Sequence, residues 1–194
     1  MSILRLIGTC ITYLTYPSSL ARAQFYKPSC YFFCFYFKRS TANTYPRDYE
    51  KMASLWHPEY TFADPAFPDL NTLRSRAMFH MFITNRDKSK MVVTHTTPAI
   101  PGPKENTYVT TYTCDYLYGT APVHNDIRAT IEVKDGKIWR QVDEFPLGAW
   151  AKQSLGIMGT ALKLVGMLDG VVKKKAAERL DGWCAKNEEF KGKE

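Results

Sequence analysis

The sequence predicts an α+β fold, in which helices pack on one side of a strongly curved antiparallel sheet. From residue 45 the chain shows two helical patterns, then three long β-prone segments and finally a helical tail. Helices and strands segregated along a chain in this way are typical of the class. The 194 residues are 45% apolar and 14% aromatic, enough for one packed domain. We expect a leader over 1–44, a domain over 45–146 and a helical extension over 147–194 that packs on it.

The leader differs from the rest of the chain in charge. Residues 1–47 hold six basic and no acidic residues, whereas the remainder carries 20 basic and 19 acidic ones. The net charge of +7 therefore belongs mainly to the leader, and it does not point to nucleic-acid binding by the folded body. A signal peptide cleaved after Ala21-Arg22-Ala23, a mitochondrial transit peptide and a mis-assigned gene start all fit this segment. The protein would be secreted, mitochondrial or cytoplasmic, respectively.

Two amphipathic helices are predicted at the start of the domain. The first covers 45–56, with apolar residues at i, i+3, i+4 and i+7, namely Tyr49, Met52, Ala53 and Trp56. His57-Pro58 ends it, because proline cannot continue a helix, and a short strand follows over 60–63. The second helix covers 73–84, where Asn71 or Thr72 can provide the N-terminal cap.

Strand-forming segments dominate the middle of the domain. A short strand is predicted over 91–96, and three long strands over 107–118, 123–133 and 137–145. Asp135-Gly136 tolerates the positive φ angles of a tight turn and joins the last two strands as a hairpin. Alternation puts residues of the last strand on two faces: Trp139, Gln141, Asp143 and Phe145 on one, Ile138, Arg140, Val142 and Glu144 on the other.

The tail is predicted to be helical, with two glycine interruptions. Gly156 and Gly159 separate a helix over 147–155 from a short apolar segment over 161–168. Asp169 can cap a last helix, whose apolar stripe is formed by Val172, Ala176, Leu180, Trp183 and Cys184. The apolar run over 157–168 is a candidate interface or pocket lid, and the Lys173-Lys174-Lys175 run is typical of a solvated helix face.

Asp64 is the first candidate for chemistry. It follows a short β-prone run and precedes Pro65, which disfavours helical backbone at Asp64 and fixes the direction of its carboxylate. A carboxylate placed where a strand ends in a loop suits a general base in a cavity. Asp-Pro also starts turns and accepts hydrogen bonds from backbone amides, so a purely structural role is the alternative.

Several motifs resemble the nuclear transport factor 2-like (NTF2-like) superfamily, and more closely its SnoaL-like branch. They are Asp-Tyr-x-x-Met-x-x-x-Trp-His-Pro from Asp48, Thr-Phe-x-Asp-Pro-x-Phe from Thr61, and Asp143-x-Phe145-x-Leu147-x-x-Trp150-Ala151-x-Gln153-x-Leu155-Gly156. The resemblance covers residues 45–190 and implies a cone, in which a bent antiparallel sheet wraps around helices and leaves an apolar pocket. Members of the superfamily include ketosteroid isomerase, polyketide cyclases, dehydratases and non-catalytic binding proteins, so the fold alone does not fix the activity.

The resemblance implies a role for Asp64 in proton transfer. Asp64-Pro65 matches the Asp-Pro of ketosteroid isomerase, whose aspartate moves a proton next to a ketone with help from a tyrosine and a protonated aspartate. That second acid has no counterpart here, because the matching stretch is Ile127-Arg128-Ala129-Thr130. Polyketide cyclases use an acid/base aspartate with less elaborate oxyanion support and are the safer comparison.

Asp143 and His80 are the other candidate catalytic residues. If the face of Asp143 lines the cone, burial among aromatic residues would raise its pKa towards the range of a general acid. The alternative is that Asp143 faces solvent or caps the following helix. His80 could polarise a carbonyl oxygen. The predicted substrate-binding residues, which also suit a core or a dimer surface, are Phe62, Trp56, Gln141, Trp139 and Tyr112.

Three functions remain open from the sequence. The first is an isomerase, cyclase or dehydratase that needs no cofactor and uses Asp64 as a general base on an apolar or carbonyl-containing small molecule. The second is a non-catalytic binder of such a molecule, and the third is a protein-interaction module that forms a homodimer through the open sheet face. The spacing of the five cysteines and four histidines predicts no metal site. The apolar run in the leader is too short to predict a transmembrane segment.

Overall fold

The structure, a computed structural model, describes residues 49–192 of the chain. The predicted leader over 1–44 lies outside these residues. The helices in the described part are α1 (Tyr49–Ala53), α2 (Thr72–Thr84), α3 (Arg86–Ser89), α4 (Leu147–Leu155), α5 (Ile157–Leu164) and α6 (Leu168–Cys184). The strands are β1 (Trp56–Ala63), β2 (Val92–His95), β3 (Ile100–Pro101), β4 (Thr107–Tyr118), β5 (Ala121–Lys134) and β6 (Lys137–Glu144).

The described strands form a six-stranded sheet in the order β1-β6-β5-β4-β2, and β3 pairs with β4. Strands β4, β5 and β6 are antiparallel neighbours, and the predicted turn between the last two has positive φ at Asp135 (51°) and Gly136 (75°). Strand β1 pairs with β6 in parallel, so the sheet is mixed rather than purely antiparallel as predicted. No hairpin joins β1 to β6, and the long intervening chain can return to the same end of the sheet, which a parallel pair requires.

The first helix ends earlier than its apolar spacing predicts. Helix α1 ends at Ala53, and Trp56 begins strand β1, where it pairs with Ile138. His57-Pro58 therefore lies inside a strand and does not end the helix. Strand β1 is at the edge of the sheet, and its register is interrupted between Trp56 and Thr61. An edge strand tolerates Pro58, because the missing N–H leaves no inner partner unsatisfied.

The main core lies between the sheet and helices α1, α2 and α6. It combines buried residues of all three helices with those of β1, β5 and β6. Trp56 stacks in parallel on Tyr60 with 4.7 Å between ring centroids, and Leu180 of α6 is fully buried in the same cluster. A smaller cluster joins α4 to α6 through Ala151, Leu168 and Val172. This arrangement confirms the predicted α+β class.

Local signals at the helix ends are partly confirmed. Asn71 caps α2, where its side-chain oxygen accepts a hydrogen bond of 3.0 Å from the backbone N–H of Arg74. Asp169 does not cap α6, which begins one residue earlier, so that Asp169 lies in the first turn. A negative charge there still interacts favourably with the positive end of the helix dipole. In the described residues, we find no helix with the length and apolar character needed to cross a membrane.

Candidate functional site

Asp64 lies immediately after strand β1 and is half-buried. Its Oδ1 accepts hydrogen bonds from the backbone N–H groups of Ala66 (2.7 Å) and Phe67 (2.6 Å), which close the turn around Pro65. The turn function considered from the sequence is therefore present. Burial nevertheless raises the pKa of Asp64 to about 6, although the two backbone hydrogen bonds act to lower it. Asp64 is thus a carboxyl group that changes charge just below neutral pH.

Asp143 lies on β6 and has only 5% of its surface exposed. The hydroxyl group of Tyr112 donates to its Oδ2, and Nε2 of Gln141 donates to its Oδ1 at 2.9 Å. The side-chain oxygen Oε1 of Gln141 accepts a long hydrogen bond of 3.5 Å from the hydroxyl of Tyr60. Burial raises the pKa of Asp143 to about 7 against the lowering effect of Tyr112 and Gln141. The group is therefore ready to hold or release a proton near neutral pH.

The register of β1 and β6 brings the two carboxyl groups together. Phe62 pairs with Gln141 and Ala63 with Val142. Continued by one position beyond the end of β1, this register places Asp64 opposite Asp143. After burial, the negative charge of Asp64 is a further cause of the raised pKa of Asp143. A like charge nearby makes ionisation of the second acid harder, so ionised Asp64 favours the protonated form of Asp143.

Tyr116 of strand β4 and Trp150 of helix α4 are in contact through a hydrogen bond. The Nε1–H of Trp150 donates to the hydroxyl oxygen of Tyr116 at 2.7 Å, and the ring of Trp150 contacts Tyr118 edge-on at 5.4 Å. Burial raises the pKa of Tyr116 to about 12, and the charge of Asp64 contributes to the shift. Sequence analysis named Tyr112 of this strand as a candidate but not Tyr116. The surroundings of Tyr116 depend on Trp150 of α4, which is distant in sequence.

An open pocket of about 400 Å³ lies where the β4–β5 hairpin meets helix α4. Its lining residues are Lys90, Asp115, Tyr116, Leu117, Pro122, Val123, His124 and Gln153. Neither Asp64 nor Asp143 lines this pocket. Tyr116 lines the pocket and also lies near enough to Asp64 for the charge of Asp64 to affect its pKa.

The structure contradicts the predicted position of Trp139. The register of β5 and β6 shifts because Glu132 pairs with Arg140 whereas Val133 pairs with Ile138, which leaves Trp139 as an extra residue in β6. Ile138 is therefore buried in the core, whereas Gln141 and Asp143 keep the predicted shared face. Trp139 instead lies against Lys134, whose Nζ is 5.7 Å from the ring centroid. A bulge of this kind cannot be inferred from alternation, because one extra residue reverses the side-chain direction beyond it.

The structure does not bring His80 to the two acids. Its ring packs against Tyr49 (5.0 Å between centroids), Trp183 (5.6 Å) and Phe190 (5.3 Å), between α1, α2 and the region of α6. Its Nδ1 is buried without a hydrogen-bond partner in the described residues. Asp64, Asp143, Gln141 and Tyr112 are thus the predicted residues that the structure brings together.

Trp56 and Phe62, predicted to bind substrate, contribute to the core instead. Trp56 is 2% exposed and stacks on Tyr60, and Phe62 is 3% exposed and contacts Phe79 edge-on at 5.2 Å. Large buried aromatic side chains at these positions stabilise the domain through apolar burial. Their packing fixes strand β1, and thereby positions Asp64 at its end.

Replacing Asp143 with asparagine should make the free energy of unfolding less dependent on pH. Folding raises the pKa of Asp143 from its ordinary value of 3.8 to about 7. Between these two values the folded state binds more protons than the unfolded state, so the free energy of unfolding falls as pH rises from about 4 to about 7. Across this pH range Asp143 lowers the free energy of unfolding by on the order of 4 kcal/mol. Urea unfolding at several pH values measures it, and a smaller slope from Asp64 should remain in the variant.

Asp69→Asn is the matched control for this prediction, because it makes the same chemical change at an exposed aspartate. The control should keep the pH dependence of the wild-type protein. An unchanged dependence in Asp143→Asn would contradict the assignment of a protonated, buried Asp143.

Comparisons with known proteins identify the family. A family model described as the SnoaL-like domain matches residues 41–141. Among solved structures, an LEH-like epoxide hydrolase from M. tuberculosis is 15% identical with a TM-score of 0.49, over 72% of this chain and 95% of that one. A protein with a ketosteroid isomerase-like fold from Catenulispora acidiphila, in complex with trimethylamine, is 15% identical with a TM-score of 0.45, over 55% and 82%. No curated protein matches the chain significantly.

Proposed function

We propose a function from the premise that this chain belongs to the SnoaL-like domain family, a small-molecule-binding family. The function is general acid-base catalysis without a cofactor on an apolar molecule that contains a carbonyl group. The observation that carries the proposal is the pair Asp64 and Asp143, two carboxyl groups in adjacent register with pKa values raised to about 6 and about 7. Perturbed acids that lie together are typical of catalytic sites.

The two acids would have different roles. At neutral pH Asp64 is mostly ionised and can act as the base, whereas a large part of Asp143 keeps its proton. Asp143 is nearly fully buried, so the hydroxyl of Tyr112, which is only half-buried and contacts Asp143, is the group better placed to meet a substrate. A protonated Asp143 can donate to the oxygen of Tyr112 while Tyr112 donates to the substrate.

The reaction step balances with these groups alone. The Asp64 carboxylate removes a proton from the carbon next to the carbonyl group, and the electron pair of the broken C–H bond forms a C=C bond. The carbonyl π electrons move to oxygen, where Tyr112 stabilises the negative charge with its hydrogen bond. In a β,γ-unsaturated ketone, protonated Asp64 then returns the proton to the γ carbon, which gives the conjugated isomer. Where the enolate instead attacks a second carbonyl group, a C–C bond closes the ring and Asp64 returns the proton to the alkoxide oxygen formed from that carbonyl.

The rate of proton exchange should depend on pH as a narrow bell. Ionisation of Asp64 raises the rate through about pH 6, and loss of the Asp143 proton lowers it above about pH 7. The measurement is the exchange of α-protons for deuterium in a panel of small cyclic ketones, followed by proton NMR, which requires no knowledge of the product. Asp143→Asn should lose the alkaline limb. Exchange at the wild-type rate and with an unshifted bell in this variant would reject the proposed pair.

The pocket of about 400 Å³ favours non-catalytic binding as a second candidate, because neither acid lines it. A ligand held there would contact Tyr116 and Val123 without reaching Asp64. Thermal stabilisation by a ketone or polyketide without any α-proton exchange would support this alternative. The homodimer predicted through the open sheet face remains a prediction.

A further inference from the structure

Helix α5 and the turn after it expose a set of large aliphatic side chains. We call this set the α5 apolar face: Ile157 (90% exposed), Met158 (65%), Leu164 (83%), Val165 (66%) and Met167 (58%). Ile157, Met158, Leu164 and Val165 are spaced i, i+1, i+7 and i+8, so they lie on one side of the helix. Single exposed aliphatic residues are ordinary on protein surfaces. A contiguous patch of five such residues indicates a binding surface.

The position of α5 shows that this exposure is built into the fold. Gly156, with φ of 59°, turns the chain sharply between α4 and α5. At Gly159 a Cβ atom would lie only 2.2 Å from the carbonyl oxygen of Ala151, so the two helices approach too closely for any side chain. Leu162 packs into the cluster of Ala151 on the same inner side. The inner side of α5 is thus fixed on α4, and the α5 apolar face must point away from the protein.

Positive charge is concentrated in the segment of the chain that carries the α5 apolar face. Residues 147–177 contain five lysines and a single acid, Asp169. The lysines are Lys152, Lys163, Lys173, Lys174 and Lys175. Lys175 forms an ion pair of 3.1 Å with Glu178, which leaves the segment clearly cationic. Among the described residues, the region therefore combines exposed aliphatic side chains with an excess of positive charge.

This combination decides between the possible partners. A second copy of the chain in a two-fold interface through this face would bring two net-positive segments close together, and the repulsion between them opposes that contact. A bilayer of anionic phospholipid complements both features, because aliphatic side chains enter the headgroup boundary while lysines contact the lipid phosphates and carboxylates. We propose that the α5 apolar face and its lysines bind the surface of an anionic membrane. Binding would be peripheral, and it does not depend on the catalytic role proposed for Asp64.

Sedimentation of the full chain with vesicles tests the proposal. We expect the chain to pellet at least tenfold more with vesicles of phosphatidylcholine and roughly 30% phosphatidylserine than with phosphatidylcholine alone. About 0.5 M salt should release it, because salt screens the lysines. The double variant Ile157→Ser, Leu164→Ser should lose pelleting, and Lys173→Gln, Lys174→Gln, Lys175→Gln should weaken it.

Ile100→Ser is the matched control, since Ile100 is a 60% exposed aliphatic residue on β3 and outside the face. It should pellet like the wild-type protein. Equal pelleting with neutral vesicles, or none with either kind, would overturn the proposal. Gel filtration with light scattering distinguishes the competing partner: a wild-type dimer that Ile157→Ser, Leu164→Ser converts to a monomer would mean that a second copy occupies the face.

Discussion

Asp64→Asn should lower the rate of α-proton exchange by about 10²- to 10⁴-fold, because it removes the proposed base. The fold should survive, since the amide oxygen of asparagine can still accept the hydrogen bonds from Ala66 and Phe67 that close the turn. Asp64→Ala removes the base and the turn contacts together, so it should lose activity and also destabilise the protein by about 1 kcal/mol. Proton NMR measures the exchange, and urea unfolding measures the stability.

The comparison of the two variants separates catalysis from structure. Asp69→Asn makes the same chemical change at an exposed residue five positions later and should leave both measurements unchanged. If Asp64→Asn exchanged α-protons as fast as the wild-type protein, the carboxylate would serve only the turn, and the sequence-based alternative would be correct.

Leu180→Ala should destabilise the protein by about 2–5 kcal/mol, the usual cost of truncating a fully buried leucine. Leu180 has 0% exposed surface and belongs to the same core cluster as Trp56, Tyr60 and Ala77. The variant leaves a cavity where α6 meets the sheet and α2, so its effect measures how strongly the C-terminal helix supports the domain. Chemical denaturation followed by tryptophan fluorescence gives the free energy of unfolding.

Leu164→Ala provides the matched control, since it makes the same truncation at a leucine that is 83% exposed. Its effect should stay within about 0.5 kcal/mol. A comparably small effect of Leu180→Ala would mean that α6 contributes little to the core and that the domain is stable without it.

The elements set by local signals were predicted well. The bounds 107–118 for β4 and the start of β6 agree with the structure, because alternation and the Asp135-Gly136 turn act over short distances. Asn71 caps α2 as expected. The resemblance to the SnoaL-like branch, based on motifs such as Thr-Phe-x-Asp-Pro-x-Phe, was confirmed by the family match over residues 41–141.

The errors have a common physical cause in tertiary contacts. Trp56 fits a helical stripe, but pairing with Ile138 and stacking on Tyr60 place it in strand β1. Trp139 fits an alternating face, but the bulge in β6 turns it towards Lys134. In both cases pairing with a neighbouring strand outweighs a weak local preference.

The candidate site was predictable only in part for the same reason. Asp64 and Asp143 were identified as candidate acids, yet their adjacency depends on the parallel register of β1 and β6, which no local pattern encodes. The hydrogen bond between Tyr112 and Asp143 and the contact between Tyr116 and Trp150 likewise join separate elements. His80 was placed among catalytic candidates because residue type alone cannot show that its neighbours are aromatic rings.

The pairing of β1 with β6 also sets the order in which the protein can assemble. Contacts across this pair join positions as far apart as Tyr60 and Gln141, which are separated by 81 residues, so the chain must close a long loop to form them. The β4–β5 and β5–β6 hairpins need only short loops and should form earlier. During synthesis, strand β1 leaves the ribosome before β6 does, so β1 cannot pair in the sheet until β6 has been made. Asp64 therefore meets Asp143 only after β6 has formed, and no chain truncated before β6 can carry the acid pair.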